Sequence, residues 1–286
     1  MRYVRKLVLR KRIELVLLGI LIVGIIGYAG TGIVYSGVLA ASAERTINTV
    51  VSHQNSLNQS FTSINSELSA LSTSSTFNAQ QAIALLDQSV SNSELATRTI
   101  NQDDASLASV EKQLAANRWL TAIGHSNVDR ESGRVAHARD ALAAARTIAS
   151  DQVLDGRFWH SLYTALGDLD TLNKQSGAGD LASARSTLSS MRADVTMAVQ
   201  QSTSPGLPTD LHDLMVDLQS FVTDYGKQLD AQLAGDDASV AQYQASVAAD
   251  LTKLSAYDID KIGKEIDAFY KPLVDRFNSQ IAAATA

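Results

Sequence analysis

An uncharged stretch from Leu15 to Ala43 constrains this chain more strongly than any other feature of its sequence. At about 1.5 Å per helical residue, a run of this length can cross a hydrocarbon core of about 30 Å. The sequence therefore predicts a single N-terminal transmembrane helix over residues 13–41, which we interpret as a signal anchor. Membrane lipid is accordingly the first predicted partner.

The basic residues before this stretch predict its orientation. Residues 1–12 form a short tail without an acidic residue, and its basic residues are Arg2, Arg5, Lys6, Arg10, Lys11 and Arg12. After the stretch, residues 44–63 contain only Arg45 as a fixed positive charge. Because Lys and Arg are retained on the cytoplasmic side, we expect a single-pass cell-membrane protein with a cytoplasmic tail and an extracytoplasmic remainder.

A cleaved secretory signal is the alternative interpretation of the same stretch. Ala41-Ser42-Ala43 places small residues at the spacing of a cleavage site just after the apolar run. However, the apolar core of a signal peptide is normally about 7–15 residues long, and this run is much longer. The uncleaved anchor is therefore favoured, and N-terminal sequencing that began at Glu44 would contradict it.

The composition of residues 44–286 excludes several classes of function. Of the chain's 24 basic and 30 acidic residues, six basic and one acidic precede Glu44, which leaves a net charge of −11 on this segment. Such an acidic surface repels nucleic-acid phosphate, so we expect no nucleic-acid partner. The absence of cysteine excludes disulfides, thiol catalysis and Cys-ligated metal sites. Only three prolines and 6% aromatic residues favour long helices over sheet.

Apolar residues recur at steps of three and four directly after the predicted anchor, as in a heptad seam. They are Ile47, Val50, Leu57, Phe61, Ile64, Leu68 and Leu71, with Gln54 as the one polar member. We expect the anchor to continue into this helix, which the Ser and Thr residues of 72–75 should end. The seam can pack inside the chain's own bundle or pair with another chain. Its candidate interaction residues are Leu57, Phe61, Ile64 and Leu68.

Further helices are predicted by the same periodicity. We expect a second helix from Asn78, a new helix start at Asp103-Asp104, a helix over 128–151 and an aromatic segment over 156–173. Two later stripes consist of Leu211, Leu214, Leu218, Phe221, Tyr225, Leu229 and Leu233, and of Ile259, Ile262, Ile266, Phe269, Leu273 and Phe277. The predicted fold is therefore all-α: an N-terminal transmembrane helix that continues into an elongated, antiparallel helical bundle with coiled-coil-like packing.

A Gly-Asp turn recurs in the second half of the chain. Gly179-Asp180 and Gly235-Asp236 are both followed by a similar segment, and Gly at the end of one helix with Asp at the start of the next predicts a helix–turn–helix unit. This repeated pattern can reflect an internal duplication or simply low-complexity helical sequence. Residues 204–208 contain two prolines and predict a linker between bundle segments 42–203 and 209–286, which can also form one domain.

No sequence pattern indicates catalysis, a cofactor or a metal site. The five histidines lack metal-ligand spacing, and no glycine pattern fits a phosphate loop. His160, beside an aromatic residue on a predicted helix, is the histidine of greatest interest, and a structural role is the simpler expectation. A candidate ligand pocket can be drawn from Trp119, Phe158, Trp159 and Tyr163, although large aromatics in an alanine-rich bundle also fill core.

In layout the chain resembles membrane-anchored helical-bundle ectodomains such as those of chemoreceptors and other bacterial sensors. No shared motif carries this resemblance, and the sequence predicts neither the second span nor the cytoplasmic output that such sensors use. We therefore expect a non-enzymatic cell-envelope protein with a structural or protein-interaction role, acting through a protein partner or self-association. The alternative is a small-molecule-binding, sensor-like ectodomain that serves a partner receptor or transporter. A tethered hydrolase is the least favoured hypothesis.

Overall fold

The computed structural model describes residues 38–73, 78–117 and 125–286, and their regular secondary structure is entirely α-helical. Seven helices are present in these ranges: α1 (Val38–Thr73), α2 (Ala79–Asn117), α3 (His125–Gly177), α4 (Leu181–Gln201), α5 (Thr209–Ala234), α6 (Asp237–Ser255) and α7 (Ile259–Thr285). The helices form a helical bundle, as the sequence predicts.

The predicted anchor lies outside the described residues except for its last four, 38–41, which belong to α1. The basic tail, with all six of its predicted topology residues, also lies outside them. Of the helices that the structure describes, none combines the length and the apolar character that a membrane crossing requires.

The described residues divide into two compact units. Unit A contains those of 66–90 and 154–267, and unit B contains those of 38–65, 91–153 and 268–286. Each unit is therefore assembled from segments that are distant in sequence. The predicted linker 204–208 connects α4 to α5, and both of these helices belong to unit A.

In unit A, the two Gly-Asp turns have the same backbone geometry. Gly179 and Gly235 both adopt the left-handed conformation, with φ of 77° and 69°, which glycine tolerates without steric cost. Asp180 N donates to Gln175 O and Asp236 N donates to Ala231 O, both at 3.0 Å, which is the Schellman arrangement at a helix end.

The same turns begin the helices that follow them. The carboxylates of Asp180 and Asp236 each accept a hydrogen bond from a backbone N–H three residues later, at 3.1 Å. This satisfies an amide that a helix start leaves unpaired. The predicted pairing of a glycine C-cap with an aspartate N-cap is confirmed at both turns.

Helices α4 and α5 of unit A are antiparallel neighbours. Near the turn that joins them, Ser202 Oγ lies 2.8 Å from His212 Nδ1. At the far ends of the same helices, Arg185 forms an ion pair with Asp230. Residues at the start of α5 therefore contact the end of α4, and residues at the end of α5 contact the start of α4. A short connection between two helices produces this antiparallel arrangement.

Unit B shows the same antiparallel order between helices that are remote in sequence. Arg134 Nε on α3 donates to Ala284 O on α7 at 2.8 Å, and Asp140 forms an ion pair with Arg276 at 3.6 Å. Between α2 and α3, Glu111 pairs with Arg139 at 2.6 Å. The interior is apolar, because residues such as Leu107 and Leu142 are completely buried.

The helix start predicted at Asp103-Asp104 is wrong, since α2 runs without interruption from Ala79 to Asn117. Asp103 lies on the buried side of this helix, in register with Ile100 and Leu107, and is 4% exposed. Its carboxylate has a side-chain partner on another helix, His53 at 2.9 Å. Asp103 therefore contacts a neighbouring helix from within α2 and does not cap a helix end.

The helix expected over 128–151 continues through the aromatic segment 156–173, because α3 is a single helix of 53 residues. Gly156 lies inside it and is buried in unit A. A Cβ at this position would overlap Cγ2 of Val90 on α2. The glycine is therefore present for close helix approach and not for a turn.

Candidate functional site

The predicted seam on α1 faces the interior at most of its described positions. Ile47, Val50 and Ile64 are 1–2% exposed, and Gln54 is 3% exposed. Leu57 is partly exposed. The side chains of Phe61 and Leu68 lie outside the described residues, although both positions are helical. An interaction of the seam with another chain stays a prediction.

A polar pair with one buried member, Asp103, connects α1 to α2 in unit B. His53 Nδ1 lies 2.9 Å from Asp103 Oδ1, where the histidine side chain is 47% exposed and the aspartate side chain 6% exposed. Asp103 Oδ2 and the Nε2 of Gln54 are buried without a hydrogen-bond partner among the described residues. A polar group in that state costs about 1–3 kcal/mol. The sequence analysis did not identify this pair, although Asp103 falls on the apolar stripe of α2.

Beside this pair, a partly exposed ion-pair network connects α2 to α3. Asp104 accepts hydrogen bonds from Arg139 at 2.8 Å and from Arg146 at 3.2 Å. Burial alone would raise the pKa of Asp104, but the hydrogen bonds and charges of the two arginines outweigh burial and lower this pKa. The network links the two helices through ion pairs between charged side chains.

The predicted aromatic group is part of the core of unit A. Phe158, Trp159 and Tyr163 are 0%, 5% and 2% exposed. The rings of Phe158 and Trp159 meet edge to face with centroids 4.9 Å apart, and those of Trp159 and Tyr163 are 6.4 Å apart. Such contacts are typical of packed aromatic residues. The fourth predicted member, Trp119, lies outside the described residues.

His160 belongs to a small cluster of titratable residues on the surface of unit A. Its Nε2 lies 3.5 Å from Asp87 Oδ1, and both side chains are substantially exposed. Asp168 and Asp194 are half-buried on α3 and α4. Burial, followed by repulsion from Asp194, raises the pKa of Asp168. Burial also raises the pKa of Asp194, although the charge of His160 opposes it.

This cluster makes the stability of the protein depend on pH. A carboxyl group whose folded-state pKa is raised stabilises the fold most at low pH, and this contribution is lost as the pH rises through the folded-state pKa. We therefore expect Asp168→Asn to raise the free energy of unfolding at pH 7 by about 0.5 kcal/mol, a small gain because solvent screens both carboxylates. The gain should vanish below about pH 3, where Asp168 is protonated in both states. Urea unfolding at several pH values measures it.

Asp170→Asn is the matched control for this prediction. Asp170 lies on the same helix and forms a surface ion pair with Lys174 at 2.7 Å. Removing this charge should not stabilise the protein at any pH. A gain at neutral pH that is equal for both variants would show that total charge, and not the pair of Asp168 and Asp194, is responsible.

A shallow cleft of about 330 Å³ lies between α4 and α5. It is lined by Arg192, Thr196, Val216, Gln219, Ser220, Thr223 and Asp224. Several of its polar groups already bind one another: Gln219 Nε2 donates to Thr196 Oγ1 at 3.1 Å, and Asp224 pairs with Lys227 at 2.8 Å. The described members of the predicted pocket, Phe158, Trp159 and Tyr163, do not line this cleft.

Within the described ranges, no group of three or more His, Asp or Glu side chains is arranged to hold a metal ion. The two His–Asp pairs lack a neighbouring nucleophile in hydrogen-bond contact with the histidine. Comparison with known proteins gave no match to a protein family, to a curated protein or to a solved structure.

Proposed function

We propose that this chain is a single-pass, membrane-anchored protein whose extracytoplasmic helical bundle has a structural or protein-interaction role in the cell envelope, without catalysis. The observation that carries the proposal is the direct succession of an uncharged run, Leu15 to Ala43, and a helix that is integrated into a packed unit. A bundle held this way is fixed close to the lipid surface.

The first turns of α1 support retention of the anchor. Ala43 is completely buried in unit B, and Ala41 and Ser42 are helical. Arg45 Nε donates to Ala41 O at 2.9 Å, and Thr46 Oγ1 donates to Ser42 O at 3.0 Å. The small residues that resemble a cleavage site thus take part in the folded helix, and cleavage after Ala43 would remove a core side chain.

The interaction role is supported by the helical architecture and by the absence of an assembled reactive site among the described residues. Individual apolar side chains, such as Leu95 and Phe269 in unit B and Met197 in unit A, are 45–50% exposed. They are scattered and do not define a docking site by themselves. The small-molecule alternative gains no support from the aromatic group, since its described members fill core.

Membrane fractionation with alkaline extraction tests the anchor, and cross-linking in the native membrane tests the role. We expect the full chain to remain in the membrane after extraction and a variant that lacks residues 13–41 to be released. Cross-linking followed by mass spectrometry should recover a defined partner or a second copy of the chain. Release of the full chain would contradict the anchor, and recovery of no cross-linked protein would contradict the interaction role.

A further inference from the structure

We propose that the cleft between α4 and α5 binds a free α-amino acid in its zwitterionic form. In this assignment the carboxylate of the ligand binds Arg192 on α4, and its ammonium group binds Asp224 on α5. The cleft lies entirely within unit A. The inference goes beyond the proposed structural or interaction role and does not depend on the membrane anchor.

The first step is the arrangement of the two walls of the cleft. Helices α4 and α5 are antiparallel, and Gln219 Nε2 on α5 donates to Thr196 Oγ1 on α4 at 3.1 Å. Arg192 lies one turn before Thr196, and Thr223 lies one turn after Gln219, so antiparallel packing brings these two positions to the same level. Asp224 follows Thr223 and also lines the cleft. One wall therefore supplies a cation and the other a carboxylate.

The second step is the unpaired state of Arg192. The other Lys and Arg side chains of α4 and α5, Arg185 and Lys227, pair with Asp230 and Asp224. Arg192 is exposed and forms no ion pair with any described residue, including Asp224 on the opposite wall. A guanidinium group presents parallel N–H donors that match the two oxygens of a carboxylate. Arg192 is therefore free to bind the carboxylate of a ligand.

The third step is the acceptor that Asp224 retains. Lys227 Nζ donates to Asp224 Oδ1 at 2.8 Å, and Oδ2 has no hydrogen-bond partner among the described residues. The side chain of Asp224 is 24% exposed, so a ligand in the cleft can reach it. The hydroxyl of Thr223, at the same end of the cleft, also has no hydrogen-bond partner in the described part of the chain. This end of the cleft therefore offers acceptors for an ammonium group.

These charges favour a zwitterion over a simple ion. The hydrogen bond to Asp224 raises the pKa of Lys227, and the charge of Arg192 opposes this increase, so the field of Arg192 reaches this end of the cleft. Arg192 and Lys227 repel a simple cation, and Asp224 repels a simple anion. A free α-amino acid carries its carboxylate and its ammonium group on one carbon atom, so it complements both walls without adding net charge.

The rest of the lining suits an extended apolar side chain on the ligand. Val216 is 40% exposed and is the one purely apolar side chain in the lining. It lies eight residues, about 12 Å, before Asp224 along α5. The cleft volume of about 330 Å³ is at the lower end of the range for small-molecule sites. An unbranched side chain such as that of methionine can extend from the charged end toward Val216.

Calorimetric titration of the full chain in detergent micelles with L-methionine tests the assignment. We expect L-methionine to bind. Methioninamide lacks the carboxylate, and N-acetylmethionine lacks the ammonium group. We expect each analogue to bind at least about tenfold more weakly, because each loses one charge-assisted contact.

Substitutions in the two walls test the residues that make these contacts. Arg192→Gln and Asp224→Asn should each weaken binding of L-methionine at least about tenfold. Arg185→Gln and Asp230→Asn are the matched controls, because they change the same residue types on the same helices outside the cleft. Their affinity for L-methionine should stay within about twofold of that of the parent protein.

Three results would overturn the inference. Lack of binding of L-methionine would show that Arg192 is simply a solvated surface residue. Equal binding of L-methionine and its two analogues would exclude recognition of the zwitterion. Equal effects of the cleft and control substitutions would place any binding outside this cleft. Unchanged unfolding temperatures establish that the four variants are folded, and the membrane anchor is tested separately by fractionation.

Discussion

We expect Gly156→Ala to lower the free energy of unfolding by about 1–3 kcal/mol, although alanine is the better helix former. The added Cβ would overlap Cγ2 of Val90, a half-buried β-branched residue whose χ1 angle is restricted. The two helices must separate or Val90 must leave its preferred rotamer. Urea unfolding followed by circular dichroism measures the loss.

Gly133→Ala is the matched control on the same helix. A Cβ at Gly133 would have no atom within 4 Å, so we expect this variant to gain about 0.5–1 kcal/mol from helix propensity and reduced unfolded-state entropy. The two identical substitutions in α3 should therefore change stability in opposite directions. Val90→Ala should largely suppress the effect of Gly156→Ala. If Gly156→Ala were neutral in the presence of Val90, the close approach of α2 and α3 would be wrong.

The second large effect is expected at the pair of His53 and Asp103. His53→Ala should destabilise the protein by about 2 kcal/mol, because it leaves the carboxylate of Asp103 buried without its hydrogen-bond partner. The full cost of breaking a buried ion pair, about 3–5 kcal/mol, is not expected, since His53 is half exposed. Equilibrium unfolding at neutral pH provides the measurement.

Removal of the other member of the pair should have a different result. Asp103→Leu replaces a buried carboxylate with an apolar side chain in register with Ile100 and Leu107, and it leaves His53 free to bind water. We expect this variant to be as stable as the parent protein or more stable. Equal destabilisation by both substitutions would show that the pair contributes net stability. The asymmetry would instead indicate that Asp103 sets the pairing of α1 with α2 at a cost in stability.

Apolar periodicity predicted the helical class and much of the core. On α5, six of the seven predicted stripe residues are buried, from Leu211 to Leu229, and only Leu233 at the helix end is exposed. On α7 the prediction included Phe269, which is 45% exposed, whereas its neighbour Tyr270 is completely buried. Phe269 and Tyr270 are adjacent, so either residue could belong to the apolar stripe of α7. The packing against neighbouring helices determines which of the two is buried.

The pairings between helices could not be read from the sequence. Asp103 has the local features of a helix cap, yet it lies inside α2 and contacts His53 on another helix. Gly156 lies inside α3, where Val90 of another helix approaches it closely. Such features depend on contacts between residues that are far apart in the chain. The two Gly-Asp turns were predictable because all their hydrogen bonds are local. For the aromatic group the sequence left a pocket and a core position as alternatives, and the burial of Phe158, Trp159 and Tyr163 agrees with the core position.

The contact between Arg134 and Ala284 joins residues 150 positions apart and has a consequence for the order of folding. Unit B needs residues 38–65 and also residues 268–286, so its core cannot close until the last of these has been synthesised. Unit A needs nothing beyond residue 267 and can form earlier. Closing so long a loop is entropically costly and slow. During biosynthesis unit B therefore stays incomplete until residues 268–286 emerge, and its apolar side chains are most exposed to aggregation in this interval.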